Sequence, residues 1–289
     1  MNMKSQAFHR VGVVGAGVIG SGVAHLFAQA GLDVVLVDNR ADQLDRARKS
    51  IAKNARLFGF LQKDQGKPAD IVARIRCSVE IEALAGVEFV IENITENWDL
   101  KRQVHEALDR VVSPETPIAA NTSAIPITRL AGVGHRPDRV VGMHFMNPVP
   151  VMPMVEIIRG MRSSDAALEA ARILVEQAGK QSITVNDSPG FVTNRVMMLM
   201  VNEAMFLLHE GVSTVPDVDR LFKTCFGHKM GPLETTDLIG LDTVLQSLEN
   251  LYMEFNDSKY RPCPLLKQKV YAGMLGRKSG EGFYRYDGQ

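Results

Sequence analysis

Two groups of residues in this chain have the types and spacing to do chemistry. The first is His144 and Glu156, at either end of GMHFMNPVPVMPMVEII (142 to 158). Histidine is the side chain whose ordinary pKa places proton exchange near neutrality. A carboxylate on one ring nitrogen would fix its tautomer and stabilise the imidazolium formed when the other nitrogen takes a proton. The second is GAGVIG, residues 15 to 20, which fits G-x-G-x-x-G. There Gly15 permits a tight turn, Gly17 leaves room for a pyrophosphate, and Gly20 allows close packing. Val18 and Ile19 fall where a helix opens, so their free N–H groups and the helix dipole suit phosphate.

Asp38 closes the next apolar run, VVLVD. Its carboxylate suits the two ribose hydroxyls and repels a 2′-phosphate, which favours NAD over NADP; Arg40, close by in sequence, weakens that preference. A base for a hydroxyl proton and a nicotinamide for a hydride are what oxidation of a secondary alcohol requires. Each residue alone has a plainer reading. His144 suits a structural role at a strand end, Glu156 a surface ion pair, and Asn121 and Ser123 in NTSAIPIT a turn and a helix cap.

The elements that must position these groups alternate. Strands are expected at 11–14, 34–38, 88–93, 117–122, 140–145, 154–158 and 181–186, with helices near 18–30, 97–112 and 165–178. This pattern predicts an open, mainly parallel α/β sheet. His144 then lies near a strand's C-terminal end, where such sheets bind ligands, and the Pro148–Pro150 loop lets the strand of Glu156 turn back beside it. After Asp187-Ser188-Pro189-Gly190 the signals are helical, at about 191–210, 215–226, 234–255 and 263–274. Two domains follow: a Rossmann-like α/β domain over 1–187 and an all-α domain over 188–289.

The totals bound the partners. The chain has 289 residues, with 33 Lys plus Arg against 33 Asp plus Glu, and this balance argues against a nucleic-acid binder. Cys77, Cys225 and Cys263 are far apart, with neither a CxxC pair nor metal-like spacing, which suits reduced thiols in a cytoplasmic protein. The polar start MNMKSQAFHR does not fit a signal peptide, and VMMLMV is far short of the ~20 residues that span a bilayer.

Taken in order, VGVVGAGVIGSGVA, VIENITENWDLK, ANTSAIPIT, GMHFMNPVPVMPMVEII, DSPGFVTNRV, GHKMGPLETTDLIGLDT and GRKSGEGFYRY resemble the L-3-hydroxyacyl-CoA dehydrogenase family, including bacterial 3-hydroxybutyryl-CoA dehydrogenases. The resemblance covers nearly the whole chain. It implies NAD as cofactor, an acyl thioester as substrate, and a helical domain that forms a homodimer. It places His144 at the catalytic base and Glu156 at its orienting carboxylate. Ser123 matches the serine that contacts substrate and nicotinamide, and Asn194 the asparagine near the reacting carbonyl. Glu96, Lys101, Asn147 and Lys278 match cofactor-side positions.

Two departures bear on the substrate. Ala124 stands where the family usually has a second serine. In the arm after Asp38, where the family commonly places lysines for the CoA phosphates, LFGFLQ (57 to 62) intervenes between Lys53 and Arg56 on one side and Lys63 on the other. Lys53 is the substrate-phosphate candidate, and an acyl carrier protein is the alternative carrier of the acyl group. Two other classes share the fold. Free 3-hydroxyacid dehydrogenases use a lysine base, against which the histidine speaks. Crystallin-like scaffolds have no need of His144, Glu156, Ser123 and Asn194 together.

Overall fold

The computed structural model describes residues 7–61, 67–123 and 125–286, without the side chains of 59–61. Ala124, Gln62 and Lys63, and the side chains of Phe60 and Leu61, therefore lie outside the described residues. The chain divides into two compact units, Met1–Ser188 and Pro189–Gln289.

The first unit is built on one eight-stranded sheet in the order β3-β2-β1-β4-β5-β6-β7-β8. The strands are β1 (Arg10–Val14), β2 (Asp33–Val37), β3 (Ile75–Ser78), β4 (Phe89–Glu92), β5 (Ile118–Ala120), β6 (Val140–Phe145), β7 (Met154–Arg159) and β8 (Gln181–Asn186). Pairing is parallel except between β6 and β7. The helices are α1 (Val18–Gln29), α2 (Ala41–Leu61), α3 (Pro68–Ala73), α4 (Trp98–Val111), α5 (Ile127–Ala131) and α6 (Asp165–Gln177). Side chains at alternate strand positions feed two cores. Val11, Val13, Val34 and Leu36 pack with α1, α2 and α6, while Val14, Val35, Val37 and Val90 pack with Leu108 of α4. Continuous apolar strands are what a sheet covered on both faces requires.

Local chemistry sets the helix starts. Asn97 accepts the Leu100 N–H at 3.1 Å and Ser164 the Ala167 N–H at 3.2 Å, satisfying donors that the first turn leaves free. Strand order reverses at β1, between β2 and β4, so a crevice opens at the C-terminal ends of these strands. β3 was not expected, because Arg76, Cys77 and Ser78 supply no apolar run.

The second unit is helical: α7 (Thr193–His209), α8 (Val215–Cys225), α9 (Pro232–Ile239), α10 (Leu241–Phe255) and α11 (Pro264–Tyr271). The expected helix over 234–255 is two helices. Gly240 breaks it with φ of +102°, a left-handed value that glycine adopts without a side-chain penalty. The core joins Met198, Val201, Leu233, Leu248 and Tyr260. Two buried carboxylates pin the C-terminal segment. Asp237 accepts the N–H groups of Phe283 and Tyr284 and the Tyr286 hydroxyl, at 2.8 to 2.9 Å. Asp219 accepts the Tyr284 hydroxyl at 2.7 Å and the first N–H groups of α9. Among the described residues no helix is long and apolar enough to cross a membrane.

The turn from β1 into α1 is the tightest point in the first unit. A Cβ on Gly20 would lie 1.8 Å from the Gly15 carbonyl oxygen, whereas one on Gly17 would meet nothing within 4 Å. Gly20→Ala is expected to cost about 3 kcal/mol, the upper end for overpacking because the obstacle is backbone. Gly17→Ala should leave stability near that of the wild type. Paired thermal or denaturant melts of the two variants check this; equal melts would refute it.

Candidate active site

At the C-terminal end of β1, Gly15 turns with φ of +91°, and its N–H donates to the Val37 carbonyl. The turn is fastened to β2 by Asp38, which accepts the Ala16 N–H at 2.8 Å and the Arg40 N–H at 3.0 Å. Gln43 closes the other side by donating to the Ala16 carbonyl at 2.9 Å. Val18 is exposed and Ile19 half-buried at the start of α1, where first-turn N–H groups have no acceptor within the helix. The cavity there holds about 530 Å³ and is lined by Gly15, Gly17, Asp38, Asn93, Ile94 and Leu100, among others. A dinucleotide fits this donor set: bare N–H groups for phosphate, a carboxylate at a strand end for ribose, and apolar walls for a base. Arg40 also lines the cavity, but its guanidinium is occupied by Asp42 at 2.6 Å.

The proton-transfer pair lies on the antiparallel strands. His144 of β6 stands directly opposite Glu156 of β7 in the register. Nδ1 of His144 is 3.1 Å from Oε2 of Glu156, with each residue 5% exposed. An ionised carboxylate only accepts, so the contact suits the tautomer with the proton on Nδ1 and Nε2 as the acceptor. Nε2 faces the Ser123 hydroxyl at 3.3 Å. Ser123 sits in the turn after β5, and Glu96 holds that turn: its carboxylate accepts the Thr122 hydroxyl and, at 3.1 Å, the Ile125 N–H. Glu96, expected beside the cofactor, thus also shapes the loop of Ser123.

Asn147 is exposed in the loop after β6 and lines a cavity of about 180 Å³ together with Gly17, Val18 and Ser21. Lys53 is exposed on α2. Asn194 and Lys278 belong to the second unit. Asn194 is half-buried in the first turn of α7, and Lys278 pairs with Asp242 at 2.5 Å.

Lys101, expected on the cofactor side, has a side chain that is 0% exposed, and its ammonium lies on Glu92 at 2.8 Å. Sequence reasoning missed Glu92, Asn93 and His105, and gave Asn121 only as a turn residue. Glu92 is the last residue of β4, fully buried, with His105 Nε2 3.4 Å from its carboxylate. Burial alone would push the Glu92 carboxyl up; the charge and hydrogen bonds of Lys101, with His105 close by, outweigh it and hold the group below the usual carboxylate range. The one available signal was a charge closing the apolar run EFVIE.

Comparison with known proteins agrees with this architecture. Residues 10–188 match the 3-hydroxyacyl-CoA dehydrogenase NAD binding domain, and residues 190–286 match the 3-hydroxyacyl-CoA dehydrogenase C-terminal domain. The chain belongs to the 3-hydroxyacyl-CoA dehydrogenase family. It is an oxidoreductase with an NAD-binding domain, as the family assignment states. A probable 3-hydroxybutyryl-CoA dehydrogenase of Deinococcus radiodurans is 45% identical over 280 residues, covering 96% of this chain and all of that protein. A probable 3-hydroxybutyryl-CoA dehydrogenase of Bacillus subtilis is 44% identical, covering 95% of this chain and 96% of that one. The crystal structure of (S)-3-hydroxybutyryl-CoA dehydrogenase from Ralstonia eutropha superposes with a TM-score of 0.91 at 44% identity, covering 98% of this chain and all of the other.

Because the Asp38 carboxylate lines the cavity, removing it changes which dinucleotide is tolerated. Asp38→Ala is expected to raise KM for NAD and to narrow the disadvantage of NADP. Steady-state kinetics with both cofactors check this, and a wild-type protein that already prefers NADP would contradict it.

Proposed function

We propose that this protein interconverts L-3-hydroxyacyl and 3-oxoacyl CoA thioesters, with NAD as the redox partner. The observation that carries the reading is the chain of contacts from Glu156 to His144 Nδ1, and from His144 Nε2 to the Ser123 hydroxyl. When bound, NAD supplies the acceptor for the hydride that leaves the substrate's C3. Nε2 of His144 takes the hydroxyl proton, and Glu156 keeps Nδ1 protonated and offsets the charge of the imidazolium. The Ser123 hydroxyl, already against Nε2, hydrogen-bonds the substrate oxygen and aims its proton at the base. In the family pattern Asn194 polarises the reacting carbonyl, while Asn147 and Lys278 serve the cofactor side. The second unit, with Leu221 and Phe226 exposed at 55% and 70%, is read as the part that pairs two copies.

His144→Gln is expected to lower turnover by about 10²- to 10⁴-fold, the range for general acid–base catalysis, and to leave NAD binding intact. Stopped-flow or steady-state absorbance of reduced nicotinamide, with NAD affinity measured separately, tests both halves. Turnover close to that of the wild type would dispose of His144 as the base.

The substrate's handle has a second reading, favoured by one observation on α2. Lys49, Lys53, Arg56 and Leu57 line a shallow cavity of about 480 Å³, and Leu57 is 52% exposed. Its neighbour Phe58 turns inward and stacks on His25 of α1, ring centroids 6.1 Å apart. Burial pushes the His25 imidazole down to about 4, so it packs as a neutral ring. The surface that remains is three cations around Ala52 and Leu57, which suits either CoA phosphates or the acidic face of an acyl carrier protein. On the carrier reading, kcat/KM for a carrier-bound 3-hydroxyacyl group equals or exceeds that for its CoA ester and falls more steeply with salt. A carrier-bound substrate that reacts far more slowly at low salt leaves CoA as the handle.

A further inference from the structure

We infer that Asp42 is a positioning residue for cofactor choice: by gripping the Arg40 guanidinium at the rim of the dinucleotide cavity, it withholds that cation from an adenosine 2′-phosphate. The inference deepens the proposed dehydrogenase reading, because it takes the cavity beside Gly17 as the dinucleotide site.

Arg40 stands where such a cation would act. It follows Asp38, the carboxylate suited to the ribose hydroxyls, by two positions and lines the same cavity of about 530 Å³. In dinucleotide folds of this kind, an arginine near the end of the second strand is what accommodates the 2′-phosphate of NADP. Its planar fork matches phosphate oxygens two at a time. The backbone at Arg40 is fixed from both sides. Its N–H donates to Asp38 Oδ1 at 3.0 Å, and its carbonyl accepts the N–H groups of Gln43 and Leu44 at 3.1 and 3.2 Å as α2 begins. Only the side chain is left to turn.

Asp42 decides which way it turns. Arg40 Nε lies 3.1 Å from Asp42 Oδ1, and Nη2 lies 2.6 Å from Oδ2. Oδ2 also accepts from Arg46, one turn further along α2. An isolated surface ion pair contributes little, but a bidentate arginine–carboxylate contact within a network is the exception. The side chains are 60% exposed for Arg40 and 51% for Asp42, so an incoming anion can reach the grip and must break it to bind. A 2′-phosphate therefore meets the charge of Asp38 without the compensation that Arg40 carries. NAD has a hydroxyl at that place and is indifferent to the grip.

Asp42 could also act by repelling the phosphate directly, and the two routes separate through Arg40. Repulsion by Asp42 persists when Arg40 is gone. Positioning of Arg40 does not.

The experiment measures the affinities of NADH and NADPH by nicotinamide fluorescence, without any thioester, in a cycle of Asp42→Ala, Arg40→Ala and the double variant. Asp42→Ala is expected to tighten NADPH binding by about fivefold and to leave NADH within about twofold of the wild type. In the Arg40→Ala background the same change should move NADPH by no more than about twofold. An equal gain with and without Arg40 would mean that Asp42 repels the phosphate itself, and the inference would fall. It would fall equally if Asp42→Ala bound NADPH as weakly as the wild type, or lost affinity for both cofactors alike, as a merely structural role requires. Should Asp42→Ala not fold, Asp42→Asn keeps the size of the side chain and the same outcomes decide. Asp38→Ala in the same titrations tests the site itself. If it changes neither affinity, the dinucleotide lies elsewhere and the cofactor-site reading falls with the inference, whereas a failure confined to the Asp42 variants overturns the inference alone.

Discussion

The antiparallel pairing of β6 with β7 is the constraint on which the rest of the site depends. Every neighbouring pair on the β1 side of this boundary runs parallel and takes its register from crossover helices. Here the chain returns directly through the loop 146–153, and Gly142↔Ile158 and His144↔Glu156 fall opposite each other. Side chains alternate along a strand, so a slip of one residue would turn Glu156 to the other face of the sheet. The register is held from both sides. Met143, Phe145, Val155 and Ile157 are buried in the core beneath α1 and α6. On the opposite face Ile158 covers Gly142 so closely that a Cβ there would lie 2.7 Å from its own Cβ. Hydrophobic packing thereby fixes a hydrogen bond between two polar side chains that could not hold such a geometry alone.

What could be read from the residues follows from what each element needs locally. The glycine turn was legible because its chemistry is contained in six consecutive positions, and Gly15 and Gly20 meet the steric limits that their spacing implies. His144 and Glu156 were legible as a pair because one short loop joins their strands. The ion pair of Lys101 was not legible, because a motif gives a charge without saying which charge it balances. Its partner Glu92 lies nine positions earlier, at the end of a strand, and looks there like a surface residue. Asn121 was seen as a turn former, and its contacts with Asn93 and Phe145 arise only when three strands assemble. The break at Gly240 was missed because apolar periodicity continues across it, and a single positive φ leaves no trace in that pattern.

A buried lysine–glutamate pair is a poor way to stabilise a fold, since an apolar pair of equal size would avoid the desolvation of two ions. Its directional bonds do something an apolar pair cannot. Glu92 and Lys101 between them define where one N–H and one carbonyl must point, at the rim where β4 and β5 end. Glu96 does the corresponding work one loop outward, on the turn that carries Ser123. The site is thus framed by carboxylates that bind backbone and side-chain donors of the chain itself.

In the helical unit, the same use of carboxylates bears on the order in which a newly made chain can mature. Asp237 leaves the ribosome 46 residues before the Phe283 N–H that it will bind, and Asp219 precedes the Tyr284 hydroxyl by 65. Until those late residues emerge, Asp237 lacks its three donors from the C-terminal segment and cannot be buried without loss. α9 and its surroundings therefore wait for the segment 283–286. The final closing of the unit needs that segment, and a nascent chain that stalls just short of Phe283 presents an unfinished, solvated carboxylate core instead.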